Sequence, residues 1–257
     1  MERGQEIPVN YTIRPCRTLR ELGACVELQK TIWGYAKGEA YPLRLFVNLA
    51  RIGGLVLGAF ASGNELAGFV ASMPAWRGRT RYFHSLSLGV LPAHENQGLG
   101  RALKLEQRRR ALRAGIDLIE WTYDPLRAKN AHFNLVRLGA IARQYPPAYY
   151  GLLRSRLQSG LPSDRLVCEW WLRSARVKRA LVGSLRPPFP AQPVAEVALP
   201  PNLLAGARLR LERARAAQRV LGRRLRRCFQ RGLAVAGFVV NEPESRYLLY
   251  PSARVLL

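Results

Sequence analysis

The segment from Leu88 to Ala102 combines residue types whose spacing can hold an anion. An apolar run ends at Pro92, and two glycines, Gly98 and Gly100, open a run with helical periodicity. The first turn of a helix exposes unpaired amide groups, and the helix dipole favours negative charge there. Because glycine lacks a β-carbon, a phosphate can approach the backbone closely. The segment predicts a phosphate site, and the alternative is a tight strand-to-helix turn without a ligand.

The elements around this segment predict a mixed α/β fold in the order βααβββαβαβ. A strand–helix–strand unit in the middle implies a parallel pair of strands. Thr18 and Glu21 have the spacing of a capping box at the start of the first helix, and Gly34 ends that helix. The predicted strands cover 11–14, 54–61, 66–73, 82–91, 116–123 and 165–172, the helices cover 18–33, 42–50, 99–113 and 130–138, and 74–80 is a loop.

After residue 173 the sequence no longer shows the alternation of predicted strands and helices seen before it. Prolines such as Pro187, Pro188 and Pro190 interrupt regular structure, so residues 174–202 are interpreted as a proline-rich linker or strap. Apolar residues then recur at intervals of three and four from 203 to 230, which predicts one amphipathic helix. Two short apolar runs after it predict a β-hairpin. The predicted domains are therefore 1–173, the strap 174–202, and an arginine-rich extension 203–257.

The segment with the two glycines resembles motif A of the GNAT superfamily of acyl-CoA N-acyltransferases. In that motif a strand ends in Leu-x-Val-x-Pro, and a loop with Gly-x-Gly or Gly-x-Ala opens a helix. Leu88, Val90 and Pro92 match the strand, while Glu95 stands where Arg or Gln is usual. The resemblance spans residues 11–172 and implies a GNAT-like mixed central sheet flanked by helices. Residues 120–134 look like an uncharacterised bacterial subgroup with a C-terminal extension.

The resemblance implies where an acyl-CoA co-substrate binds. Pantetheine would pair with the main chain of Leu88 and Val90, and the Val90 amide would polarise the thioester carbonyl. Asn130 would contact the pantetheine or the start of its own helix. The hydroxyl that family members often use as general acid falls at Leu135, so it is missing here. The main-chain amides expected to hold the pyrophosphate are those of Gln97, Gly98, Gly100, Arg101 and Ala102.

An amine acceptor has a pKa near 10, so a base must remove its proton before attack on the thioester. Glu120 and Asp124 point the same way on their predicted strand, because they are four residues apart at a period of two. His84, on the neighbouring strand, is a third candidate base. Tyr123, like the Tyr149–Tyr150 pair, is a candidate for the missing acid. The alternatives are a salt-bridged carboxylate, a structural histidine and packed aromatic rings.

The composition of the chain limits the kind of protein that it can be and the partners that it can bind. It has 257 residues and a net charge of +24, carried largely by arginine, and such a field attracts anions. Four scattered cysteines and three scattered histidines indicate neither a metal site nor a disulfide framework. The N-terminus resembles no signal peptide, and no apolar run is long enough to span a membrane. We therefore expect a cytoplasmic protein.

The resemblance implies an N-acetyltransferase that transfers acetyl from acetyl-CoA, without a metal, to a small-molecule or peptide amine. One alternative is a GNAT-like protein that binds a coenzyme A thioester without turnover. Another is a nucleic-acid-associated protein that uses its basic tail. The apolar stripe of the tail helix is expected to pack on the first domain or to form a homodimer seam, and its arginines are alternatively a solvated face.

Overall fold

The computed structural model describes residues 11–35, 38–152, 160–183, 192–199, 209–240 and 244–256. The chain forms two compact units that divide between Ile119 and Glu120. Each unit has a β-sheet with helices, and the predicted α/β fold class is confirmed. In the described residues, no helix has the length and apolar character that crossing a bilayer requires.

The first unit contains four antiparallel strands in the order β1-β2-β3-β4. Side chains that alternate along a strand reach opposite faces of the sheet. Val56 and Phe60 accordingly pack with the first two helices, whereas Leu57 and Ala59 pack with the third. The elements are β1 (Thr12–Pro15), α1 (Leu19–Trp33), α2 (Leu43–Arg51), β2 (Leu55–Phe60), β3 (Leu66–Arg77), β4 (Thr80–Val90) and α3 (Leu99–Arg113).

The capping box predicted at the start of α1 is present. The Glu21 amide donates to Thr18 Oγ1 at 3.2 Å, and the Thr18 amide donates to Glu21 Oε2 at 3.1 Å. Arg14 adds an ion pair to Glu21 at 2.6 Å. The hydrogen bond with Arg14 lowers the pKa of Glu21 to about 2, together with those from the Arg17 and Thr18 amides and against an opposing effect of burial.

Replacing Glu21 with glutamine is expected to destabilise the protein in a pH-dependent way. Because the folded-state pKa lies below the unfolded value of 4.5, the stabilisation is complete above pH 4.5 and is lost as the pH falls towards 2. Glutamine can still cap the helix, so the difference is an ion-pair effect of under about 1 kcal/mol. Urea unfolding at pH 7 and pH 3 measures the difference in unfolding free energy between the wild type and the variant. A difference that is larger at pH 3 than at pH 7 would contradict the assignment.

The second unit has the strand order β5-β7-β6-β9-β10-β8, and β6 pairs antiparallel with β7 and β9. The predicted hairpin is present, since β9 and β10 pair antiparallel. The elements are β5 (Leu118–Tyr123), which begins at the end of the first unit, α4 (Ala128–His132), a π-helical turn (Phe133–Arg137), β6 (Ile141–Gln144), β7 (Leu166–Trp171), α5 (Ala175–Leu181), β8 (Ala195–Leu199), α6 (Leu209–Gln230), β9 (Leu233–Val239) and β10 (Ser245–Pro251).

The loop predicted at 74–80 is wrong. β3 continues through Pro74 to Arg77, and a turn at Gly78, whose φ is 57°, leads directly into β4. A proline cannot donate a ladder hydrogen bond, so it is usually excluded from a central strand. Pro74 is tolerated because β2 pairs with β3 only as far as Ser72, which leaves the far end of β3 with an unpaired side.

The segment 174–202 contains regular structure that its prolines concealed. Ser174 caps the start of α5, since its side chain accepts from the Val177 amide, and β8 pairs antiparallel with β10. Strand β6 was also missed, and the helix predicted at 130–138 begins earlier and ends in the π-helical turn. Residues 200–208, where the tail helix was predicted to begin, lie outside the described residues. The limits of the three predicted domains stay a prediction.

Candidate coenzyme A site

The loop between β4 and α3 leaves backbone donors at the start of the helix. Gly98 precedes α3 in the left-handed region with φ 79°, and no side chain caps the helix. The first helical hydrogen bond runs from the Ala102 amide to the Gly98 carbonyl at 3.0 Å. In the part of the chain that the structure describes, the amides of Leu99 and Gly100 have no hydrogen-bond partner. A bare helix start of this kind favours an anion.

Gly98 and Gly100 are glycines for different reasons. Gly98 needs its left-handed backbone, which side chains other than those of Asn and Asp rarely tolerate. Gly100 has no such need, because a β-carbon there would lie 3.9 Å from Val90 and 4.0 Å from Leu88, which is ordinary contact distance. The fold therefore does not explain Gly100, whereas close approach of a ligand to the helix start does.

The loop is braced by contacts that the motif did not reveal. Tyr11 donates its hydroxyl hydrogen to Gln97 Oε1 at 2.9 Å and lies 2.7 Å from His94 Nδ1. Gln97 also donates to the Ala93 carbonyl at 3.3 Å. The Gln97 side chain thus holds the loop, and only its amide stays a candidate ligand. Glu95, the departure from the family motif, is exposed.

The amides of Ala102 and Arg101, two other predicted coenzyme contacts, both lie in the first turn of α3. The Ala102 amide is committed to the helix, as its bond to Gly98 shows. Arg101 is half-buried, and its role as a pyrophosphate contact stays a prediction. Leu99, whose amide has no partner in the described residues, is a further candidate contact that the sequence prediction omitted.

A β-bulge lies in β4 shortly before this loop. Ala71 pairs with Ser87 but Ser72 pairs with Ser85, so Leu86 is the extra residue. A bulge increases local twist and turns the strand that contains it, and bulges are common beside active sites. Leu88 and Val90, the predicted pantetheine contacts, follow the bulge, and their side chains pack with α3.

Polar groups are buried between β4 and α3 beneath this region. Lys104, only 2% exposed, donates to Ser85 Oγ at 3.0 Å. Gln107 donates to Ser85 at 3.0 Å and to Ser72 at 2.7 Å. Lys104 and Gln107 stand among the apolar positions of α3, and that break in the pattern was a signal that sequence analysis passed over. The network places a fixed positive charge beside β4.

His84 is the predicted base that lies in the same unit as the loop. Burial lowers the pKa of its imidazole, and the charge of Lys104 lowers it further. The ring is therefore neutral at neutral pH and able to accept a proton.

The remaining candidates belong to the second unit. Two of them, Glu120 and Tyr123, lie on opposite faces of strand β5. Glu120 is buried, and Thr122, which shares its face, lies 3.1 Å from the Tyr150 hydroxyl. Asp124 accepts from the Leu126 amide at 2.9 Å and lies 3.6 Å from Arg127, so it braces a turn. Asn130 is exposed on α4.

Tyr123 lies on the opposite face of β5 from Glu120. Complete burial and the neighbouring Tyr247 hydroxyl raise its pKa well above the ordinary value. A proton held this firmly is a poor one to donate to a departing thiolate. Tyr150 has an accessible side chain, and burial of its hydroxyl also raises its pKa.

Comparison with known proteins places this site in a family. Residues 23–135 match the model of the acetyltransferase (GNAT) family, and that span includes α3 and the glycine loop before it. The chain contains a GNAT-family acetyltransferase domain. The family predicted from the glycine motif is therefore confirmed, as is its enzyme class. No curated protein gives a significant match.

Solved structures agree on the fold of this acetyltransferase domain. A GNAT-family protein from Desulfovibrio desulfuricans is 16% identical, with a TM-score of 0.50 over 63% of this chain and 99% of its own. The NatC complex bound to Gag peptide and CoA reaches 0.52 at 13% identity, over 63% and 98%. NAA60 of Arabidopsis thaliana, in complex with a bisubstrate analogue, reaches 0.50 at 17% identity over the same shares. At such identities the likeness concerns the fold alone.

Proposed function

We propose that this protein transfers an acyl group, acetyl in the first place, from a coenzyme A thioester to an amine. The observation that carries the proposal is the start of α3, where the uncapped amides of Leu99 and Gly100 stand beside a glycine that the fold does not require. These donors suit the diphosphate of coenzyme A. Acetyl-CoA is thus the proposed co-substrate, and a small-molecule or peptide amine the proposed acceptor.

The strand before the loop would act on the thioester itself. In the family arrangement the Val90 amide polarises the acyl carbonyl, and the bulge at Leu86 turns this part of β4. A backbone donor aimed at a developing oxyanion contributes on the order of 3 kcal/mol to barrier lowering. The amine attacks the carbonyl carbon, the carbon–sulfur bond breaks, and the coenzyme leaves as a thiol after protonation.

His84 is the base that we propose for the amine. Its pKa lies below 6.5, so the neutral form predominates at pH 7 and is lost only as the pH falls through that lower value. The profile of kcat/KM is therefore expected to be flat between pH 6.5 and pH 8 and to fall below pH 6.5. Replacing His84 with glutamine should lower kcat about 100-fold. It should also remove the acid limb of the profile, which is the fall in kcat/KM below pH 6.5.

Release of free thiol from acetyl-CoA with a panel of amines measures both effects. His132, whose pKa burial also lowers, provides a matched control, because the His132→Gln variant should keep the rate and the acid limb. If His84→Gln retains the wild-type acid limb, the base is another group and Glu120→Gln becomes the variant to measure. Coenzyme binding without thiol release from any amine would favour the non-catalytic alternative.

A second candidate function is association with nucleic acid, and the exposed face of α6 favours it. Seven arginines share this face, and Glu212 is its single acidic residue. Among the described residues none of the seven pairs with a carboxylate. Guanidinium groups bind phosphates through paired hydrogen bonds, and Ala214, Leu221 and Leu225 of the apolar stripe of α6 are buried. The seven are Arg213, Arg215, Arg219, Arg223, Arg224, Arg226 and Arg227.

Changing Arg219, Arg223 and Arg227 to glutamine is expected to weaken binding of a 20-base-pair duplex about 10-fold or more. Each lost phosphate contact reduces the salt slope of affinity by about 1. Fluorescence anisotropy at 50 and 200 mM KCl measures both quantities. Arg20, Arg44 and Arg113 are exposed in the first unit, so their triple glutamine variant removes the same charge elsewhere. Equal weakening in both variants would mean that net charge alone attracts the duplex.

Cellular location and assembly remain proposals. Cys16, Cys25 and Cys168 are buried free thiols, which fits a reducing compartment such as the cytoplasm. The homodimer predicted from the tail helix also stays a prediction. Its apolar stripe is buried within one copy of the chain through Ala214, Leu221 and Leu225.

A further inference from the structure

A cavity of about 520 Å³ opens in the first unit, apart from the glycine loop. It lies where β1 ends, α1 begins and β2 starts, and Arg110 of α3 contributes to its wall. Arg110 is eleven residues beyond Leu99, the first residue of α3, which is about 16 Å along the helix axis. The cavity is therefore separate from the start of α3, where the diphosphate is proposed to bind.

Most of the residues that line this cavity are apolar, and its charged groups are all of one sign. Three arginines line it, and no aspartate or glutamate does among the described residues. Arg110 pairs with Glu106 at 2.6 Å, while the exposed side chains of Arg17 and Arg51 have no partner in the described part of the chain. Six apolar residues complete most of the wall: Leu19, Leu22, Val47, Leu55, Val56 and Leu57.

We infer that this cavity binds an organic anion with a short apolar body. Ligand sites in proteins have volumes of roughly 300–1,000 Å³, mostly apolar walls and a few polar groups that orient the ligand. Here the apolar walls would take the body of the ligand, and Arg17 and Arg51 at the rim would bind its carboxylate or phosphate. The site is distinct from the acyl-transfer site, so it is a second ligand site on the same unit.

Octanoate is a suitable probe, because it joins a carboxylate to an eight-carbon body. Isothermal titration with saturating coenzyme A already present is expected to show octanoate binding, and neutral octanamide should bind at least 10-fold more weakly. Competition between octanoate and coenzyme A would overturn the inference, since it would place the probe in the acyl-transfer site. Failure of the proposed acyl transfer would leave this result unchanged, so the two proposals are separable.

Two variants test the residues of the cavity. Arg17→Gln with Arg51→Gln should weaken octanoate binding about 10-fold, whereas the matched pair Arg20→Gln and Arg44→Gln should leave it unchanged, because those arginines do not line the cavity. Ala50, an exposed residue of α2 on the cavity wall, can be changed to tryptophan to fill the space. The Ala50→Trp variant should also lose binding. Equal binding in the wild type, the cavity pair and the filled variant, or equal losses in both arginine pairs, would refute the site.

Discussion

Replacing Gly100 with glutamate is expected to abolish coenzyme A binding while the protein stays folded. The new side chain would cover the amides at the start of α3 and set a negative charge where the diphosphate is proposed to bind. Folding should tolerate it, because a β-carbon at Gly100 meets only Val90 and Leu88, at 3.9 and 4.0 Å. An acidic residue in the first turn of a helix is also favourable. We expect an affinity loss of 100-fold or more by calorimetry, with little change in Tm.

The control for this prediction is Gly100→Ala. Alanine adds the β-carbon without charge or length, and it is favoured over glycine in a helix by about 1 kcal/mol. It should therefore keep most of the affinity and raise stability slightly. If the glutamate variant binds coenzyme A as tightly as the wild type does, the diphosphate does not lie at the start of α3, and the proposed function loses its main support.

Replacing Arg176 with alanine is expected to cost about 3 kcal/mol of stability or more. Arg176 is fully buried, and its guanidinium donates to the Gly139 carbonyl at 3.0 Å, to the Leu135 carbonyl at 2.8 Å and to the Ala236 carbonyl. Each buried carbonyl left without a donor costs roughly 1–3 kcal/mol, offset in part because the buried charge is removed. Burial lowers the pKa of Arg176 to about 10, so it is still charged at neutral pH.

Urea unfolding of two further variants separates the causes. Lys178, exposed on the same helix, should change stability by less than about 0.5 kcal/mol when replaced by alanine. Arg176→Met keeps much of the side-chain volume but none of the hydrogen bonds, and it should lose most of what the alanine variant loses. A methionine variant as stable as the wild type would show that the three carbonyls do not need the guanidinium.

Arg176 also illustrates why part of this fold escaped sequence analysis. It lies in the segment interpreted as a strap, because the prolines after residue 186 dominated the pattern there. Its three acceptors belong to the π-helical turn, the residues after it and β9, which are as far as 60 positions away along the chain. No local spacing signals a partnership of this kind. Strand β8 escaped for a similar reason, since its partner β10 comes about 50 residues later.

Some features of the candidate site were likewise predictable from the sequence, and others were not. The glycine loop was predictable, because the left-handed turn at Gly98, the helix start and the preceding strand are all set by residues within a few positions of one another. The lowered pKa of His84 was not predictable, since it comes first from burial and then from the charge of Lys104, which lies on a different element. The bulge at Leu86 arises from register with β3, and sequence spacing does not show register.

By itself the sequence determined the features that depend on neighbours in the chain: the capping box of α1, the Gly98 turn into α3, the amphipathic stripe of α6 and the family motif. Backbone dihedral preferences and helical periodicity act over a few residues, and they can be inferred from the order of residue types. Only the tertiary structure decided the buried Lys104 network, the role of Arg176 and the cavity between Arg17 and Arg51. Each of these depends on groups that are distant in sequence and come together only when the chain packs.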